Sequence, residues 1–148
     1  MYKHILIATD GSELAARGVE QGLALAAPLG ARVTVLSVSL PLGATAARAA
    51  TIGGIADPIG RYAQQIAEEM KNRFRSIEER AAGHGVVVDL LHEIDDHPAE
   101  AIVRTAKLKN CDLIVMSSHG RRGAARLILG SQTSEVLAHT TLPVLVVR

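Results

Sequence analysis

The residues best suited to chemistry lie together late in the chain: Met116-Ser117-Ser118-His119-Gly120-Arg121-Arg122-Gly123-Ala124-Ala125-Arg126-Leu127-Ile128-Leu129-Gly130-Ser131-Gln132-Thr133. The glycines let backbone amides approach a ligand closely. Gly130-Ser131 opens a helical pattern, and the first amides of a helix point outward with a partial positive charge. Ser131 and Thr133 add hydroxyls, and Arg121, Arg122 and Arg126 add cations. Such parts make a phosphate site; the plainer alternative is a glycine-rich turn with solvated arginines. The run is not a Walker A loop, since no Gly-Lys-Ser/Thr stands at the required spacing, and it is not a Gly-x-Gly-x-x-Gly fingerprint. Ser117 and Ser118 lack the Gly-x-Ser-x-Gly elbow of a hydrolase. Asp10 ends an apolar run near the start and has no acidic neighbour before Glu13, so a phospho-acceptor cluster is not expected. The histidines show no metal-ligand spacing, and Cys111 has no partner for a metal or an internal disulfide, so it reads as a small core residue.

The elements that must position these residues follow from the apolar pattern. Ile5-Leu6-Ile7-Ala8 reads as a buried strand that ends at Thr9-Asp10-Gly11, with Asp10 or Ser12 capping the next helix. That helix carries Leu14, Gly18, Gly22, Leu25, Ala26 and Leu29 toward one face, and Gly30 stops it. Two glycines in a helix cost about 1 kcal/mol each relative to Ala, which argues for close approach to a sheet. Val33–Val38 is a second strand. Residues 39–57 are glycine- and alanine-rich without a core pattern; a lid or a poorly ordered stretch is expected, with a short helix over Ala44–Ala50. Asp57-Pro58 starts the longest helix, with Ile59, Ala63, Ile66, Met70, Phe74, Ile77 and Ala81 inward. Val86–His92 is a strand near an edge. Pro98 opens a helix with Ala101, Ile102, Thr105 and Ala106 inward. Leu113–Met116 is apolar on both faces and hence central. A helix over Gly130–His139 and a strand over Leu142–Val147 follow.

The order is β-α-β-α-β-α-β-α-β, which predicts a three-layer α/β/α domain around a five-stranded parallel sheet. Ligands of such sheets bind beyond the carboxyl ends of the strands, where the strand order reverses. The length of 148 residues suits one domain, 1–148. With 16 Lys+Arg against 15 Asp+Glu, the formal charge is +1, so no broad field grips nucleic acid or anionic lipid. Aromatics at 2% argue against stacking platforms for single strands. No apolar run approaches the roughly 18 residues of a membrane span. The first residues meet Lys3 and Asp10 before a long apolar stretch develops, unlike a secretory signal. The lone cysteine suits a reducing compartment, so a cytoplasmic protein is expected.

The chain resembles the universal stress protein family, of the single-domain kind. The resemblance rests on Lys3-His4-Ile5-Leu6-Ile7-Ala8-Thr9-Asp10-Gly11-Ser12-Glu13, on Gly30-Ala31, and on Pro143-Val144-Leu145-Val146-Val147. It rests too on Gly120, nine residues, then Gly130-Ser131, which match most of the motif Gly-x-x-Gly, nine residues, Gly-Ser/Thr of the nucleotide-binding branch. Ser117 replaces the first glycine. The resemblance implies a Rossmann-like fold of the adenine nucleotide alpha hydrolase type, strand order 3-2-1-4-5, and binding of ATP or AMP, with Mg²⁺ accompanying a triphosphate. It implies that Asp10 accepts from the ribose hydroxyls, that Ala8 and Thr9 line the nucleoside, and that the backbone at Val38 reads the adenine edge. Gly120, Gly130, Ser131, Gln132 and Thr133 would surround the phosphates, with Met116, Ser117, His119 and Arg121 beside them; His119 either donates to a phosphate or holds the loop. It further implies a homodimer through the last strand, Val144, Leu145, Val146 and Val147, whose apolar edge would invite pairing. A stress-response regulatory module that binds rather than turns over its ligand is the expected function. A ligand-free dimerisation module and a slow ATPase are the alternatives.

Overall fold

Period-two alternation in the first apolar run sets the layers. Ile5 and Ile7 point into one apolar cluster, Leu6 and Ala8 into another, and all are buried. A strand buried on both faces needs helices on both sides. The computed structural model, which describes residues 1–120 and 129–148, has that form. Its strands are β1 (His4–Ala8), β2 (Arg32–Ser39), β3 (Val88–Ile94), β4 (Leu113–Ser117) and β5 (Val144–Val147). They form one five-stranded sheet in the order β3-β2-β1-β4-β5, and every pairing is parallel. The helices are α1 (Glu13–Leu29), α2 (Ala44–Ile52), α3 (Pro58–Gly83), α4 (Pro98–Leu108) and α5 (Ser131–His139). One cluster joins the sheet to α1 and α3 through Val19, Leu23, Ile77 and Ala81. The other joins it to α4 and α5 through Ala99, Ile102, Ala106 and Val136.

Helix α1 begins at Ser12, whose hydroxyl accepts from the Ala15 amide at 3.2 Å. Asp10 is not the cap; its carboxylate accepts from the Ser12 amide at 2.9 Å and tightens the turn. The glycine stripe does meet the sheet. A Cβ on Gly22 would stand 2.5 Å from Ile7 Cδ1, so a larger residue would force Ile7 or the helix to shift. This contact line rotates the buried face toward Ala15, Val19 and Leu23. Leu14 and Leu25 are therefore left half-buried, and Leu29 is exposed. Helix α3 overhangs the sheet. Its 26 residues span about 39 Å at 1.5 Å per residue. The seven residues of β3 span only about 23 Å. Core contact starts at Ile66, while Ala63 is exposed and Ile59 is 64% exposed.

The segment after β2 contains α2, which buries none of its side chains. Strand β3 begins at Val88, opposite Val33, rather than at Val86. As expected it is an edge strand. Strand β5 starts at Val144, after Pro143, which has no N–H to donate. Cys111 is buried against the α4 side of the sheet, and burial pushes its thiol up to about 11. No helix among the described residues is long and apolar enough to cross a membrane.

Candidate functional site

Strand order reverses between β1 and β4, so their carboxyl ends open one crevice. Asp10 follows β1 directly, and Gly120 follows β4. The two are neighbours: a Cβ on Gly120 would stand 2.7 Å from Asp10 Oδ2. Side-chain alternation then sorts the other expected residues. Ala8, Val38 and Met116 all lie against the α4–α5 side of the sheet. Ala8 and Met116 are buried, and Val38 is half-buried. Thr9 lies on the opposite side, toward α1 and α3. Its hydroxyl accepts from the Gly11 amide at 3.2 Å, and it lines a separate cavity there.

The base of the loop is tied by its own atoms. The Gly130 amide donates to Ser118 O at 2.7 Å, and the buried Thr133 hydroxyl donates to Ser117 O at 2.9 Å. The Ser117 hydroxyl donates to His119 O at 2.8 Å. Gln132 reaches away, and its side-chain oxygen accepts from the Ala99 amide in the first turn of α4 at 3.0 Å. That contact supplies one of the acceptors a helix start requires. Ser131 is exposed at the head of α5, and among the described residues no side chain caps that helix. His119 shares a hydrogen bond through Nδ1 with Ser118 Oγ at 2.9 Å. Its Nε2 is buried and lacks a partner among the described residues. Arg121, with Arg122 and Arg126, lies outside the described residues.

Comparison with known proteins decides the lineage. The sequence profile of the universal stress protein family matches residues 1–148. The chain belongs to the universal stress protein family. The universal stress protein YxiE of Bacillus subtilis is 30% identical over 152 aligned positions that span all of both chains. The solved MJ0577 protein of Methanocaldococcus jannaschii superposes with a TM-score of 0.81 at 28% identity, covering 99% of this chain and 96% of that one. A universal stress protein of Archaeoglobus fulgidus, solved in complex with dAMP, shares the fold with a TM-score of 0.67 at 20% identity, covering 99% and 98%.

This universal stress protein domain also carries a polar cluster that its sequence hides. On the α1–α3 side, Arg73 Nη1 donates to Ser37 Oγ at 2.6 Å, and Ser37 Oγ donates to Thr9 O at 2.8 Å. Next to it, Ser39 Oγ shares a hydrogen bond with His92 Nε2 at 2.9 Å. Burial, and secondarily the Arg73 guanidinium, holds the His92 imidazole below its ordinary value. Arg73 sits 36 residues from Ser37, so no local spacing could have joined them. The alternation of β1 does carry one readable signal: Thr9 must face away from Ala8 and Asp10.

Proposed function

We propose that this universal stress protein binds an adenine nucleotide, ATP or AMP, at the crevice between the carboxyl ends of β1 and β4. The reading is carried by one rim: the Asp10 carboxylate against Gly120, the adjoining His119 Nε2, which has no partner among the described residues, and the start of α5, which no described side chain caps. A carboxylate accepts well from a sugar diol. A helix start with no side-chain cap offers amides to an anion. Ala8, Val38 and Met116 supply the apolar wall for the nucleoside. Gly130 and Thr133 act by shaping the loop, since their donors already meet loop carbonyls. Among the described residues, no three His, Cys, Asp or Glu side chains gather around a metal position. Mg²⁺ would therefore be carried by phosphate oxygens and water. The module would act as a homodimer through β5, in the stress response of the cytoplasm.

Equilibrium dialysis against ATP and AMP tests the reading. The wild type should bind, and Asp10→Ala should bind roughly 10- to 100-fold more weakly, the scale of a lost hydrogen bond to a charged group. A Cβ on Gly130 would stand 3.2 Å from Ser118 O and 3.3 Å from His119 Cα. Gly130→Val must therefore displace the loop and abolish binding. Wild-type affinity in Gly130→Val, or no binding at millimolar nucleotide, rejects the proposal.

A second reading, a ligand-free dimerisation module, is favoured by the Ser117 hydroxyl turned onto His119 O, which closes the loop on itself where the motif has glycine. Mass spectrometry of the natively purified protein separates the two. A co-purifying adenine nucleotide supports the first reading, and its absence together with a negative dialysis result supports the second.

A further inference from the structure

Ser117 stands where the nucleotide-binding motif has its first glycine. It ends β4, two residues after Val115, whose side chain packs on the α1–α3 side of the sheet. Side chains alternate along a strand, so the Ser117 side chain stands on that same side, opposite the wall of Ala8, Val38 and Met116. From there its hydroxyl donates to His119 O at 2.8 Å. We propose, on the reading that an adenine nucleotide occupies the crevice, that Ser117 is a positioning residue: by holding His119 O it turns the Gly120 amide toward the crevice, where that amide donates to the phosphate nearest the ribose.

Peptide geometry makes the link. In a trans peptide the C=O and the next N–H share one plane and point in opposite directions. Holding His119 O on the α1–α3 side therefore directs the Gly120 N–H toward the other side, that of α5. Two spacings locate it. A Cβ on Gly130 would stand 3.8 Å from the Gly120 nitrogen, at the start of α5, and a Cβ on Gly120 would stand 2.7 Å from Asp10 Oδ2. Gly120 thus lies between the carboxylate assigned to the ribose and the helix start assigned to the phosphates. Among the described residues no group accepts from its amide. Its neighbours in the loop are already committed. The Ser118 amide donates to Val147 O at 2.8 Å, and the Gly130 amide donates to Ser118 O at 2.7 Å. The backbone also tolerates a serine here. Outside glycine, only Asp57 and Asn110 among the described residues have positive φ, so a Cβ at Ser117 meets no left-handed strain.

The test is a titration of the ¹⁵N-labelled full chain with AMP and with ATP, which share the phosphate nearest the ribose, followed by amide NMR. In the wild type the Gly120, Ser131 and Gln132 amides should shift, and the Gly120 proton should move downfield as it gains a phosphate acceptor. Ser117→Ala removes the hydroxyl and keeps the Cβ. It should weaken nucleotide binding roughly three- to tenfold, the scale of one hydrogen bond. At saturating nucleotide it should keep the Ser131 and Gln132 shifts and lose that of Gly120, whereas a merely structural role would move all three together. Joint loss of the three responses, wild-type affinity in Ser117→Ala, or a Gly120 amide that stays silent in the nucleotide-bound wild type overturns the assignment and leaves nucleotide binding standing. If the wild type binds neither nucleotide at millimolar concentration, the nucleotide reading fails and the role of Ser117 falls with it.

Discussion

At the scale of single residues, the polar side chains at the base of the loop are committed to internal bonds. Cys111 illustrates how environment sets reactivity. With its thiol at about 11, raised by burial and then by Asp112, only about one molecule in a thousand carries the thiolate at pH 8, and the thiolate is the nucleophile. Native protein should therefore react with a thiol reagent at pH 8 far more slowly than urea-unfolded protein, as a colorimetric assay will read. Equal rates would contradict the burial. Thr133 is the second case. Its buried hydroxyl donates to Ser117 O at 2.9 Å and sits within 3.3 Å of Ser118 O. Thr133→Val keeps the shape and removes the donor, leaving Ser117 O without it. The expected loss is about 1–3 kcal/mol, visible as a lower urea midpoint. An unchanged midpoint would mean that this bond does not hold the loop base.

Between elements, the carboxyl edge of the sheet presents two differently furnished faces. Toward α4 and α5 the wall is apolar, built from Ala8, Val38 and Met116. Toward α1 and α3 it is polar, with Arg73 bonded to Ser37, Ser37 to Thr9 O, and Ser39 to His92. This pairing of β2 with β3 makes stability depend on pH. His92 is held below its ordinary value, so the fold favours the neutral ring. Its contribution is intact above the unfolded value of about 6.5 and is lost as pH falls through the lower folded value. The urea midpoint of the wild type should fall more steeply from pH 7.5 to pH 5 than that of His92→Gln. Parallel profiles would remove His92 as the cause. Periodicity recovered the existence of α1 and α3 but placed their faces imperfectly. Which stripe of α1 is buried depends on the fit of Gly22 against Ile7, and how much of α3 is covered depends on strand length; both are facts about neighbours.

Across the whole molecule, β5 closes one side of the sheet, and among the described residues no strand pairs with its outer edge. Leu145 on that strand is 38% exposed. An apolar edge strand is a template for pairing with another chain, and the proposed homodimer uses it. Static light scattering at micromolar concentration should give a dimer for the wild type and a monomer for Leu145→Arg. A charge on an edge strand opposes strand addition, and the half-exposed site tolerates it in the monomer. A monomeric wild type would remove the dimer from the proposal.

The amino-acid order alone determined the alternation of strands and helices, the parallel sheet, the edge position of β3 and the glycine-rich loop after β4, because each is written in local periodicity or in residues with special backbone freedom. It also pointed to Asp10 and Gly120 as partners once the strand order was assumed. Only the tertiary structure decided that Gln132 serves α4 and that Arg73 reaches Ser37. Those outcomes depend on which atoms distant segments bring within 3 Å of each other, and sequence spacing holds no record of such distances.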